Sequence, residues 1–365
     1  MGKASLRLIS GVGKKAPACF LIEAGGWRFL LDLGEGPPPG ALPDVDGIGR
    51  VDAVILSHGH RDHVGGLMLL PRLGNPPVYA TDIVARGLPQ AFLPQGTTVQ
   101  PLPVGGTADV LGIAITTGRN GHAPGGIWLH FAISDGFLYT GDYSTESPLY
   151  AYDPPPQPAA TALIDCSYAD YQKPFAACWE QLASFVARGP LLLPAPPNGR
   201  GPEIALELMR HGFRDIFADE ATQMALRQLG NGAAISLRAP AGDIERLAAA
   251  VRPIDGARGV MIAGSADGTS GATKKLFAEW EYAAVPAILF TGYVNPTTLA
   301  ERLTKSGRAQ TMRWNVHPLL ADTVALVRAT QAKTVIPAFC DREKLDALAA
   351  ALAPARVIMD GPVVI

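Results

Sequence analysis

Short apolar runs alternate with glycine and proline punctuation through the first 150 residues. Ala18–Gly26, Trp27–Gly34, Val51–Ser57, Ile113–Gly118, Ile127–Ser134 and Gly136–Asp142 read as strands bounded by turns, so this half is sheet-rich with few long helices. After the Pro-dense connector Asp153–Ala160 the rhythm changes. Strands now alternate with helical patterns such as Pro202–Gly212 and Ala241–Arg252, as in parallel α/β units, and a domain transition is expected after Ser167. Strand and helix pieces return in Thr334–Phe339, Arg342–Leu352 and Ala355–Asp360, and these are expected to rejoin the first domain. No repeat at a fixed period and no low-complexity tail interrupts this plan.

A length of 365 residues accommodates two domains, or one large two-layer domain carrying an insertion, with a sizeable core. A hydrophobic fraction of 48% with 40 Gly and 32 Pro describes a compact, turn-rich, soluble protein. No apolar run approaches the ~20 residues that a membrane span needs, and the N-terminal residues lack a secretory pattern. Cys19, Cys166, Cys178 and Cys340 form no C-x-x-C pair, which fits a reducing cytoplasm better than a disulfide framework. The net charge of -2 argues mildly against indiscriminate nucleic-acid binding, although a local basic groove is compatible with it.

The candidate chemistry begins in Ser57–His63, SHGHRDH, which sets His58, His60, Asp62 and His63 directly after an apolar run. On a loop at a strand's C-terminal end, alternate side chains can converge on one metal ion while the adjacent Asp62 and His63 turn toward a second. A lone histidine would read as a surface or core residue; four donors in this order read as ligands. Zinc suits imidazole and carboxylate donors, and manganese or iron also fits. Distant donors are His122 in NGHAPGG and Asp142 in LYTGDYS, where a carboxylate could bridge both ions; taken singly, each would read as a turn residue. Asp32 in FLLDLGEG reads as a carboxylate that orients the histidine loop rather than as a ligand.

Asp32, His58-Gly59-His60-Arg61-Asp62-His63, His122 and Asp142 resemble, in order, the four successive motifs of the metallo-β-lactamase superfamily. The second half resembles its β-CASP branch, the nucleases related to ribonuclease J and to the mRNA 3′-end cleavage endonuclease. LIDCSYAD is similar to that branch's acidic motif, with Asp165 in the acidic place, and LLPAPPNGRGPEIALEL to its strand, Gly-Arg turn and helix. VMIAGSADGTSGATKKL and ILFTGYVNPTTLAERL resemble its paired segments, and WNVHPLLADT its first late histidine motif at His317.

The resemblance implies an α/β fold: a metallo-β-lactamase αββα sandwich over residues 1–170 and 301–365, with an inserted α/β β-CASP cap domain over 171–300. In such proteins the cap covers the metal site and leaves a cleft for a nucleic-acid strand. The implied activity is that of a metal-dependent phosphodiesterase acting on RNA or single-stranded DNA, in which a metal-activated hydroxide attacks phosphorus. His58, His60 and His122 would hold one zinc ion, Asp62 and His63 a second, and Asp142 would join them. His317 would donate a proton to the leaving oxygen or stabilise charge, with Asp165 holding its tautomer. Arg200 in its Gly-flanked turn, and Ser270 and Lys274 in the loop Gly268–Lys275, would position phosphates; Lys274 and Lys275 read equally as a solvated helix face. Single-stranded nucleic acid is the expected partner, a membrane is not, and a homo-oligomer is left open.

One motif departs from the pattern. TVIPAFCDREKL aligns with a segment that carries a histidine before Gly-Glu in the resembled proteins, yet the matching position is Phe339, between Ala338 and Cys340. Asp62, His63 and Asp142 then remain for the second ion, so one or two ions are expected. Cys340 reads as a small buried cysteine rather than a thiolate ligand. The departure sustains two alternatives: a catalytically impaired binding or scaffold relative, and a small-molecule metallohydrolase, which the β-CASP-like insertion disfavours.

Overall fold

The computed structural model describes residues 4–365. They divide into two compact units: the chain up to Thr145 with Ala151–Gln172 and His317–Ile365, and Glu146–Tyr150 with Lys173–Val316. In this division the return to the first unit falls at His317, where the resemblance implied residue 301. The helix Leu299–Lys305 and the strand Ala309–Thr311 still belong to the second unit's sheet, and elements this short carry no apolar period that assigns them to one sheet or another. The Pro-dense Asp153–Ala160 lies wholly inside the first unit, where Trp128 Nε1 donates to the Asp153 carbonyl at 2.6 Å and Ala159 N to the Thr330 carbonyl at 2.8 Å.

The first unit contains two seven-stranded sheets. One runs Val363–Val364, Ser5–Ser10, Cys19–Ala24, Trp27–Leu31, Ala53–Ile55, Val78–Thr81, Val99–Leu102. The other runs Arg356–Val357, Thr334–Ala338, Thr161–Asp165, Phe137–Tyr139, Ile127–Phe131, Ile113–Arg119, Gly106–Val110. Alternation along the strands sets the layers. Phe20, Ile22, Phe29 and Leu31 share one cluster with Leu129, Phe131, Phe137 and Leu163 of the opposite sheet, whereas Cys19, Leu21 and Leu30 cluster with Leu67, Leu70 and Leu73 of the 3-10 segment Leu67–Leu73. On the far side, Leu138, Ala162, Ile164 and Val335 meet Leu326, Leu348 and Leu352 of the helices Leu320–Ala329 and Leu345–Leu352. This is the αββα sandwich. Burial on both faces explains why the central strands are apolar throughout instead of alternating cleanly with polar residues.

Parallel pairing places the chemistry. Trp27–Leu31 runs parallel to Ala53–Ile55, and Phe137–Tyr139 to Thr161–Asp165 and Thr334–Ala338. Asp32, Ser57, Asp142, Asp165 and Phe339 therefore all emerge at or just beyond the C-terminal ends of their strands. The two sheets meet there: Ile127 N donates to the Ser57 carbonyl at 2.8 Å. Gly141, at φ +54°, lets them meet, because a Cβ there would come within 2.6 Å of the Ser57 side chain.

The second unit is a six-stranded parallel sheet, ordered Arg252–Pro253, Ile216–Ala218, Val260–Ala263, Leu191–Pro194, Ala287–Phe290, Ala309–Thr311. Local capping starts its helices: the Asp219 carboxylate accepts from Thr222 N at 2.9 Å ahead of the helix Glu220–Gly232. On the helix Arg200–Arg210, Glu203 is buried and accepts hydrogen bonds from Trp314 Nε1 at 2.6 Å and from the Ser147 hydroxyl. Burial outweighs these bonds and pushes its carboxyl up from 4.5 to about 7. A raised carboxyl favours the fold fully below the unfolded value and loses that contribution as pH rises through the folded one. Glu203→Gln is therefore expected to flatten stability between pH 5 and 8, removing a loss of roughly 3 kcal/mol that the wild type suffers above pH 7. Denaturant midpoints of both proteins at several pH values measure this; parallel pH curves would refute it.

Candidate metal centre

The histidine loop is built from the strand Ala53–Ile55 and the four-residue helix Arg61–Val64. Arg61 fixes the helix start: its guanidinium donates to both oxygens of the buried Glu35 carboxylate, at 2.9 and 2.7 Å. His58 and His63 are fully buried and their rings lie 4.0 Å apart between centroids. The His60 ring lies 4.7 Å from His58 and 4.8 Å from His122, whose Nε2 is 3.0 Å from His60 Nδ1. Asn120 aims His122, its side-chain oxygen accepting from His122 N at 3.1 Å. Five of the chain's seven histidines, counting His317, gather here.

Asp142 stands in the middle. Its Oδ2 lies 3.5 Å from His122 Nε2 and 3.9 Å from His58 Nε2, and its Oδ1 lies 3.3 Å from His63 Nε2. The two oxygens thus address two donor sets: His58, His60, His122 and Asp142 in one, Asp62, His63 and Asp142 in the other, each with donor atoms within 4.8 Å of one another. His58 Nε2, His63 Nε2 and Asp142 Oδ1 are buried and make no hydrogen bond. Orphaned polar atoms are costly in an interior. His58 Nε2 belongs to the first set, His63 Nε2 and Asp142 Oδ1 to the second, and such borderline nitrogen and oxygen donors suit divalent zinc, manganese or iron.

At His58 and Asp142 the electrostatics agree with that fit. Burial, helped by the neighbouring His63 and His60, pulls the His58 imidazole well below the usual histidine range, which keeps it neutral with a lone pair to give. For Asp142 burial works upward, but His63 and His317 outweigh it and hold the carboxyl well below its ordinary value. For His63 burial works downward, and the Asp142 and Asp32 carboxylates overturn it and raise the imidazole well above the usual range.

Asp32 sits behind the loop and outside the donor sets. Its carboxylate accepts from Ser57 N at 2.7 Å, the Ser57 hydroxyl at 2.7 Å, Tyr139 OH at 2.5 Å and His63 Nδ1 at 2.8 Å. With Nδ1–H given to Asp32, His63 presents Nε2 to the centre. Ser57 and Tyr139 are functional positions that the sequence reading did not single out, although both directly adjoin motifs: Ser57 precedes His58, and Tyr139 lies three residues before Asp142.

A second dyad adjoins the first. Asp165 is fully buried, and its Oδ2 accepts from His317 Nδ1 at 2.7 Å while Oδ1 accepts from Ser167 N at 2.9 Å. The His317 ring lies 5.0 Å from that of His122, tilted by 35°, meets the edge of Tyr168 at 5.1 Å, and has its Nδ1 3.7 Å from Asp142 Oδ2.

The remaining sequence candidates lie in the second unit. Arg200 opens its helix half-buried and donates through Nη1 to the Thr291 carbonyl at 3.2 Å. Ser270, exposed, precedes the helix Gly271–Trp280, on which Lys274 is also exposed. Cys340 lies in the apolar cluster with Leu326, Val335 and Leu348 and joins no donor set among the described residues; burial, with Asp341 and Asp165 nearby, pushes its thiol up to about 12. It is a packed thiol, not a thiolate.

Residues 12–189 match the family model for the metallo-beta-lactamase superfamily. The chain is 31% identical over 233 residues to ribonuclease TTHA0252 of Thermus thermophilus, covering 53% of this chain and 52% of the relative. It is 26% identical over 246 residues to the transcription termination factor FttA of Cenarchaeum symbiosum, covering 55% of this chain and 38% of that one. The chain thus spans about half or less of the length of these relatives. A solved structure of a protein of unknown function from Enterococcus faecalis superimposes over 100% of both chains with a TM-score of 0.63 at 14% identity, a likeness of fold. Just under half of the chain is thus similar to the metallo-beta-lactamase superfamily, whose members bind metal ions. The relatives it resembles include members of the β-CASP branch. Among the described residues no helix is long and apolar enough to cross a membrane, and all four cysteines are free and buried.

Proposed function

We propose that the protein is a metal-dependent phosphodiesterase that cleaves single-stranded RNA or DNA. The observation that carries this reading is the arrangement around Asp142: one carboxylate divided between two donor sets with orphaned buried nitrogens, and the Asp165–His317 dyad beside it. The nuclease names of its relatives, ribonuclease TTHA0252 among them, give the substrate class. His58, His60, His122 and Asp142 would hold one ion, and Asp62, His63 and Asp142 are the donors available to a second position. The chemistry that bound zinc, manganese or iron supplies there is Lewis acidity toward a phosphoryl oxygen and a lowered pKa for water.

The protein's own residues do the rest. Asp32 and Ser57 hold the histidine loop in register, so the donors need not reorganise when substrate binds. Asp165 fixes the proton of His317 on Nδ1, which leaves Nε2 as the nitrogen that carries a proton to the departing oxygen. The four reduced cysteines suit a cytoplasmic enzyme.

The test is cleavage of 5′-labelled RNA and single-stranded DNA by zinc- or manganese-loaded protein. Cleavage that chelator abolishes and added metal restores is expected. Uptake of metal without cleavage of either polymer would refute the enzyme reading and leave a metal-binding scaffold.

A further inference from the structure

The two donor sets are unequal, and the inequality has a built cause. The first set has three imidazoles and a carboxylate. The second has Asp62, His63 and Asp142, and no other His, Cys, Asp or Glu joins it among the described residues. Beside it stands an aromatic ring: Phe339 meets His63 edge-on with centroids 5.3 Å apart.

That ring is held in place by several features. Phe339 follows the strand Thr334–Ala338 at φ +60°, a left-handed conformation that is unusual for a bulky side chain. Its N–H donates to the Gly11 carbonyl at 2.7 Å, and its ring lies 6.2 Å from Phe20. Gly11, itself at φ +92°, makes the space: a Cβ there would stand 2.9 Å from Phe20 and 3.1 Å from the Phe339 ring. The next residue offers no replacement donor, because Cys340 Sγ donates to the Asp341 carbonyl at 3.4 Å and packs in an apolar cluster.

Resting on the metallohydrolase reading above, we propose that the chain works with a single resident ion, held by His58, His60, His122 and Asp142, and that Phe339 closes the second position. A second ion would gain Asp62, His63 and Asp142 but no fourth protein donor on the side of the Phe339 ring, where it would surrender hydration next to a like charge sharing Asp142. With one ion at the first set, the second set remains as a carboxylate, Asp62, and an imidazole that Asp32 keeps oriented.

Metal analysis after loading with excess zinc or manganese and gel filtration tests this without reference to turnover. One ion per chain is expected for the wild type, and Asp62→Asn should keep it. Phe339→His should raise the content toward two, because histidine tolerates positive φ better than phenylalanine and restores a donor beside His63. Two ions in the wild type, loss of the ion in Asp62→Asn, or a folded Phe339→His that still holds one ion would each overturn the proposal. No ion in the wild type would instead refute the metallohydrolase reading itself. If Phe339→His does not fold, wild type and Asp62→Asn decide the matter alone.

Discussion

His60→Ala is expected to lower cleavage by at least about 10³-fold, ~4 kcal/mol of transition-state stabilisation, and to leave the chain without its ion. His60 is the best single choice among the donors because it is only half-buried, so its truncation opens little cavity, whereas His58 and His63 are fully buried. The loss should also appear in stability. In the wild type the orphaned His58 nitrogen gains a partner when metal binds, and metal at about 100 times its dissociation constant stabilises the fold by about 2.7 kcal/mol. In His60→Ala the same addition should not move the melting temperature. Ser57→Ala provides the contrast: the Ser57 hydroxyl contacts Asp32 and sits 3.1 Å from His58 Nδ1, so its removal should weaken metal affinity by roughly 10–100-fold and leave cleavage recoverable with more metal. Undiminished cleavage by His60→Ala would remove this site from the reaction.

What the sequence revealed of this site and what it hid divide along the range of the interactions. The spacing of SHGHRDH is local, and a loop after a parallel strand turns such spacing directly into convergence, so His58, His60, Asp62 and His63 were legible. His122, Asp142, Asp165 and His317 each end or follow an apolar stretch, and their chain order fitted a known series of motifs. The support around them was not legible. Tyr139 reaches Asp32 across 107 residues, from the opposite sheet, and only the packing of the two sheets brings hydroxyl and carboxylate together. Glu203 looks like any polar residue of an amphipathic helix until Trp314, 111 residues on, is seen to cover it. Arg200 shows the same limit. The Gly-Arg turn marks a residue type, whereas the guanidinium's place, against the Thr291 carbonyl and above Gly292, where a Cβ would come within 1.9 Å of it, is visible only in the structure. A motif identifies a residue type at a turn; the direction of a long side chain depends on neighbours that no local pattern encodes.

His317→Ala should slow turnover of RNA by about 10²–10³-fold with metal content unchanged, the size of effect that a positioned proton donor supplies. The structure allows a rival role, because Asp142, Asp165 and His317 also bring donor atoms within 4.8 Å of one another and could hold a cation of their own. The two roles separate cleanly in experiment. If His317 delivers a proton from Nε2, its loss falls on kcat, and a phosphodiester with a nitrophenolate leaving group, which departs without protonation, should be cleaved by His317→Ala almost as fast as by the wild type. If His317 is a ligand, the variant loses an ion and both substrates slow together. Asp165→Asn refines the argument. The Asp165 carboxylate accepts from Ser167 N, Tyr143 N and His317 Nδ1, and an amide that presents its NH2 to Nδ1 forces the imidazole proton to the other nitrogen and scrambles the tautomer without emptying the space. Turnover of RNA should therefore fall in Asp165→Asn nearly as far as in His317→Ala, the double variant should be no slower than the slower single one, and the activated substrate should again be spared. Additive losses in the double variant would mean that the two residues act separately, and that the 2.7 Å contact between them is a matter of packing alone.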